Sequence, residues 1–110
     1  MNRKHELVRR FGAVEAEYRR VWIEKRRHRG LRRRELASKC SELEKRWKNL
    51  KAQLHRVFRP IIFKRDGHRC RVCGSKENIE LARLYRDSLW YSCRDPAERY
   101  SEENMLTLFR

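Results

Sequence analysis

Leu36-Ala37-Ser38-Lys39-Cys40-Ser41-Glu42-Leu43-Glu44-Lys45-Arg46-Trp47-Lys48-Asn49-Leu50-Lys51-Ala52-Gln53-Leu54-His55-Arg56-Val57 is the stretch that decides the fold. Its apolar side chains, Leu36, Cys40, Leu43, Trp47, Leu50, Leu54 and Val57, follow one another at spacings of four and three. That spacing lines them up along one side of an α-helix. The positions between them are mostly charged or polar, so the stripe is narrow and needs a cover. An earlier series, Leu7, Phe11, Val14, Tyr18 and Val21, keeps the same spacing and stops before Arg26-Arg27-His28-Arg29-Gly30, where Gly30 can break a helix. Two such stripes predict an antiparallel hairpin of helices packed on each other with their basic faces outward; a single long helix is the alternative. Ser41-Glu42-Leu43-Glu44 has the form of a capping box, but it lies inside the second stripe and marks no helix start. Tyr18 and Trp47 lie on the stripes and belong to the core, whereas Trp22 sits beside its stripe and suits either core or surface.

The charge lies with the helices. The formal charge of the chain is +15, and residues 1–65 hold 22 Lys and Arg against 7 Asp and Glu, whereas residues 66–110 hold 8 against 8. The asymmetry divides the chain near Arg59-Pro60, where proline also disfavours continuing a helix. Residues 1–59 form the basic helical hairpin and residues 60–110 a second unit. An excess this large and one-signed repels itself unless a polyanion neutralises it. Lys25, Arg26 and Arg27 precede the expected turn and Arg32, Arg33 and Arg34 follow it, while Arg9, Arg10, Arg19 and Arg20 repeat along the first helix. These ten side chains are the expected nucleic-acid-binding residues, with DNA ahead of RNA and both ahead of a membrane surface or an acidic protein. Backbone contacts by Lys and Arg serve DNA and RNA alike and carry no base code.

No apolar run approaches the roughly 18 residues a membrane-spanning helix needs, the longest being Ile61-Ile62-Phe63. No apolar leader opens the chain, and the cysteines include a pair spaced as metal ligands. Both features place the protein in a reducing, intracellular compartment: the cytoplasm, the nucleoid, or a host cell if the gene is phage-borne.

After Pro60 the elements shorten. Ile61-Ile62-Phe63 precedes a turn at Asp66-Gly67, and Cys70-Arg71-Val72-Cys73-Gly74 reads as a knuckle whose two sulfurs point at one ion. Ile79 to Tyr85 then reads as a strand. Cys93, in the polar stretch Ser92-Cys93-Arg94-Asp95-Pro96, is the third expected zinc ligand, and His68 stands in the turn as ligand or solvent-exposed side chain. Cys40 belongs to the helical stripe and is a small core residue. The segment holding Trp90, Tyr91 and Tyr100 is longer than a hairpin needs and is acidic, which argues against phosphate contact there; its aromatics are expected to cover a small core.

In these residues the chain resembles the HNH endonucleases, whose ββα-metal fold holds one catalytic divalent ion. The opening block Phe63-Lys64-Arg65-Asp66-Gly67-His68-Arg69-Cys70-Arg71-Val72-Cys73-Gly74 carries the likeness, with Ile79-Glu80-Leu81-Ala82-Arg83-Leu84 as the first strand and Glu103-Asn104-Met105-Leu106-Thr107-Leu108 around the middle asparagine. It covers about residues 60–110. The resemblance implies an α+β architecture: the basic hairpin followed by a small zinc-knuckle, ββα-metal-like domain, incomplete as written. It implies Asn104 as the residue whose amide pins the loop between the strands, structural Zn²⁺ at the knuckle, and Mg²⁺ or a similar ion for hydrolysis. It also implies a general-base histidine where Ala82 stands, and neither the methyl of Ala82 nor the guanidinium of Arg83 accepts a proton. Phe109 stands where the family has a third cysteine, and the fourth cysteine and last histidine do not occur before Arg110. The implied function is a nuclease of HNH type that is inactive as written. Two other readings follow: a non-catalytic nucleic-acid-binding scaffold within a ribonucleoprotein assembly, and a zinc-knuckle module whose hairpin binds an acidic protein.

Overall fold

The computed structural model describes residues 3–84 and 95–110. Helix α1, Arg3–Arg26, and helix α2, Gly30–Arg65, run antiparallel as a hairpin. Their connection is short because Gly30 takes a left-handed backbone, φ +66°, which a side chain would strain. The two stripes meet as their spacing requires. Leu7, Phe11, Tyr18 and Val21 of α1 are buried against Leu36, Cys40, Leu43, Trp47, Leu50 and Leu54 of α2. Phe11 stacks on Trp47 with ring centroids 5.5 Å apart.

The helix end expected at Arg59-Pro60 is corrected: α2 continues through Pro60 to Arg65. Proline removes the N–H that would bond the Arg56 carbonyl and crowds the preceding turn. The helix continues because both sides of the break are anchored, with Phe58 1 % and Ile62 0 % exposed. The buried stripe therefore runs from Leu54 to Phe58 and Ile62, and Val57 is only half-buried. Ile61-Ile62-Phe63 belongs to α2, just before its last residues Lys64 and Arg65, and is not a separate element. Substituting Pro60→Ala is expected to raise stability by about 2 kcal/mol, since the helix regains a hydrogen bond and loses a steric conflict. Urea unfolding measures it, and an unchanged or lower midpoint would mean that the break relieves strain elsewhere.

Strand β1, Ile79–Arg83, pairs antiparallel with β2, Met105–Phe109, placing Leu81 opposite Thr107 and Ala82 opposite Leu106. Between them lie a one-turn helix α3, Pro96–Arg99, and a 3₁₀ turn, Glu102–Asn104. The architecture is mixed, α+β, with a small two-stranded sheet among the described residues. Leu81, Tyr100 and Met105 share one core with Leu7, Phe11, Trp47 and Phe58, so the charge boundary near residue 60 coincides with no break in packing. α3 lies against α1 at Gly12, where a β-carbon would stand 3.1 Å from the Pro96 ring. That close approach accounts for a glycine in mid-helix. Among the described residues, no helix is long and apolar enough to cross a membrane.

Candidate metal knuckle and nucleic-acid interface

The end of α2 builds the knuckle. Asp66 caps the helix, its N–H donating to the Ile62 carbonyl at 3.0 Å, and the chain reverses through Gly67 and a left-handed His68. Cys70 is then buried at 4 % exposure, while Cys73 is exposed. The N–H groups of Val72 and Cys73 both point at the Cys70 sulfur, at 3.3 Å each. The Gly74 N–H donates to the Cys70 carbonyl at 2.9 Å, and Gly74 at φ +77° turns the chain back. Such donors stabilise a thiolate. The Cys73 N–H lowers the Cys70 pKa to about 7 against the opposing effect of burial, with further help from the N–H groups of Val72 and Phe109. Phe109, where the resemblance places a third cysteine, thus has its backbone beside the Cys70 sulfur.

The knuckle is half a ligand set. Two thiolates suit zinc chemistry, but among the described residues no three His, Cys, Asp or Glu side chains gather as a metal site. His68 is not drawn into such a group; its ring lies edge-on to Phe63, centroids 6.5 Å apart. Cys93, Trp90 and Tyr91 lie outside the described residues. Cys40 is a buried core thiol whose pKa is raised by burial.

Ala82 is half-buried in mid-strand, opposite Leu106. Its neighbour Arg83 is occupied, its guanidinium donating to the Tyr100 hydroxyl at 2.6 Å. Asn104 is buried, and its side-chain N–H donates to the Arg99 carbonyl at 2.8 Å while its own carbonyl accepts from Leu84 N–H at 2.9 Å. Asn104 therefore ties α3 to the segment joining the strands. Tyr100 is core, 3 % exposed.

Two polar groupings belong to no sequence motif. Glu15, 1 % exposed, takes both arms of the equally buried Arg99 at 2.5 and 3.0 Å and the Trp47 indole N–H at 2.9 Å. Its spacing of four from Phe11 was the available signal, since it shares the buried face that Val14 only half occupies. At the other end Arg65 donates to the carbonyls of Glu102 and Met105 and to both oxygens of Asp66. Asp66 in turn accepts the Thr107 N–H at 2.9 Å.

The ten side chains expected at nucleic acid do not form one patch. Lys25, Arg26, Arg27, Arg32, Arg33 and Arg34 flank the connection at one end of the hairpin, whereas Arg9 and Arg10 lie towards the other end of α1. Arg27 pairs with Glu24 at 3.9 Å, Arg32 with Glu35 at 3.3 Å and Arg19 with the buried Glu15 at 3.8 Å. Arg26 lies over the Trp22 ring, 4.9 Å from its centroid. Arg9, Arg10, Arg20, Arg33 and Arg34 are exposed and make no ion pair among the described residues. Compared with protein-family models, with curated proteins and with solved structures, the chain finds no match in any of the three.

Proposed function

We propose that this protein binds nucleic acid, DNA in preference to RNA, through its helical hairpin and carries a scaffold of the HNH endonuclease type that does not cleave as written. The observation that carries the reading is the one-signed hairpin surface: guanidinium groups on both helices that make no ion pair among the described residues, with the whole excess of +15 confined to residues 1–65. Phosphate neutralisation relieves that repulsion. The nuclease likeness rests on order: a Cys-x-x-Cys knuckle after a helix end, a strand with Ala82, then Asn104 before the returning strand. Cys70 and Cys73 would hold structural zinc, with Cys93 as third ligand, and a bound Mg²⁺-class ion would supply Lewis-acid chemistry at the phosphate. Without a base at Ala82, water is not activated. A non-catalytic role within a ribonucleoprotein assembly is the second reading, favoured by the engagement of Arg83 with Tyr100 and of Asn104 with Arg99.

The test is binding and cleavage together. Wild-type protein should bind duplex DNA with a steep salt dependence and leave plasmid intact in Mg²⁺, Mn²⁺ and Ni²⁺. Neutralising Arg32, Arg33 and Arg34 with glutamine should reduce the log–log salt slope by about 0.9 for each phosphate that is no longer neutralised. Metal analysis should find zinc that Cys70→Ser and Cys73→Ser remove. Plasmid cleavage by the wild type would overturn the inactive assignment, and failure to bind either DNA or RNA would end the reading altogether.

A further inference from the structure

The side of α2 facing away from α1 carries a second basic surface, distinct from the turn cluster. Lys45 and Lys48 form one exposed pair and Arg56 and Arg59 another, each residue recurring eleven positions later. Arg34 stands one repeat earlier still. Eleven residues at 100° each return to the same face within about 20°, so the pairs stack along a single line. Small exposed side chains, Ser38, Ser41 and Ala52, occupy the same line. The line lies opposite the buried stripe of Cys40, Leu43, Trp47 and Leu54. Lys45, Lys48, Arg56 and Arg59 make no ion pair among the described residues, and the nearest carboxylates on this helix lie off the line, that of Glu44 held by the Tyr18 hydroxyl at 2.8 Å.

A solvated helix face ordinarily mixes both signs at i and i+4 spacing. This one keeps a single sign, and its small residues leave the helix free to approach a flat or grooved polyanion closely. The two pairs are separated by about 16.5 Å along the helix axis. A B-form major groove is about 12 Å wide, so a helix laid across it would put one pair on each bank, at the phosphates, with Ala52 over the opening. From this spacing we infer that the outer face of α2 bridges the two phosphate strands of one major groove of duplex DNA. The inference rests on the nucleic-acid reading above and adds the surface, the strandedness and the orientation. It carries no base recognition, because the side chains meet phosphates. The major groove of an A-form RNA duplex is too narrow and deep to be bridged in this way, and its wide groove is the shallow minor one.

Fluorescence anisotropy with a labelled 20-bp DNA duplex, the RNA duplex of the same sequence and the single DNA strand tests this in the full chain. Two variants probe the surface: the fourfold K45Q/K48Q/R56Q/R59Q, and Ala52→Glu, which sets a carboxylate between the pairs. All five positions are exposed, and circular dichroism should match the wild type. The fourfold variant should bind the DNA duplex roughly 10²–10³-fold more weakly at 150 mM salt, with a salt slope lower by about 3–4, and Ala52→Glu roughly tenfold more weakly. The RNA duplex and the single strand should bind less well than the DNA duplex from the outset. Were the wild type to bind no nucleic acid, the underlying reading would fall and this inference with it. If R32Q/R33Q weakens binding while the fourfold variant binds like the wild type, the turn cluster alone is the interface and the bridging face is overturned. Equal affinity for both duplexes, equally weakened in the fourfold variant, would overturn the major-groove geometry.

Discussion

Replacing Glu15 with alanine is expected to destabilise the protein by about 3–5 kcal/mol, because it takes from a buried guanidinium the carboxylate that meets both its arms. Glu15 and Arg99 are each 1 % exposed, and the carboxylate meets both arms of the Arg99 fork, so the pair is bidentate and dry. Arginine does not escape by deprotonating. The loss would spread further, because the Arg99 carbonyl holds the Asn104 amide that sets the start of β2, and Glu15 holds the Trp47 indole in the main core. A domain of this size has about 5–15 kcal/mol in all, so the variant should unfold well below the wild-type midpoint in urea. Removing both charges is a different experiment. Glu15→Leu with Arg99→Met keeps the volume apolar and should recover most of the stability, as paired replacements of buried ions often do. Trp47 fluorescence should report the change at the site, since its indole N–H loses an acceptor in both variants. An E15A midpoint within about 1 kcal/mol of wild type would show that water or another acceptor holds Arg99 once the carboxylate is gone.

That pair also shows where local sequence patterns stop being informative. The hairpin was legible because two narrow apolar stripes, ending at Val21 and beginning at Leu36, leave few ways to be buried, and Gly30 supplies the reversal. Turns at Asp66-Gly67 and Cys73-Gly74 were legible for the same local reason, and so was the start of the strand at Ile79, which gives way to a bend at Leu84, while Tyr85 lies outside the described residues. Proline at position 60 misled, because its local cost of about 3 kcal/mol is outweighed by long-range burial of Phe58 and Ile62 that no window around it displays. Glu15 stands on the buried face by its spacing from Phe11, but what would pair its charge was illegible because Arg99 lies 84 positions away. The bridging face was hidden differently. Lys45, Lys48, Arg56 and Arg59 are dispersed among other charges, and only a period of eleven, not adjacency, brings them together, whereas the runs at Arg26-Arg27 and Arg32-Arg33-Arg34 draw the eye.

The second large effect is expected at the joint between α2 and the sheet, where Arg65→Ala should cost about 3 kcal/mol and Asp66→Asn about 1.5–3 kcal/mol. Arg65 donates to the carbonyls of both Glu102 and Met105, so alanine leaves those two acceptors without its guanidinium. Asp66 has its side chain 2 % exposed and gathers the Arg65 fork, Arg71 at 3.6 Å and the Thr107 N–H. Burial pushes the Asp66 pKa up, but the hydrogen bonds from Arg65 and Thr107 outweigh it and leave the folded value below the ordinary carboxylate one. A carboxylate whose pKa is lowered on folding contributes stability above its unfolded value of about 3.9, and loses it as pH falls through the lower folded value. The stability gap between wild type and D66N should therefore be constant from pH 7 to about 5 and close progressively below about 4, where the unfolded chain takes up the proton first. Urea midpoints for the two proteins at pH 7, 5 and 3 measure it. A gap unchanged at pH 3 would show that Asp66 acts by shape and hydrogen-bond count alone. A gap that closes would show that its charge holds the sheet and the Cys70-Cys73 knuckle to the end of α2, so that the knuckle's position depends on one ionised carboxylate.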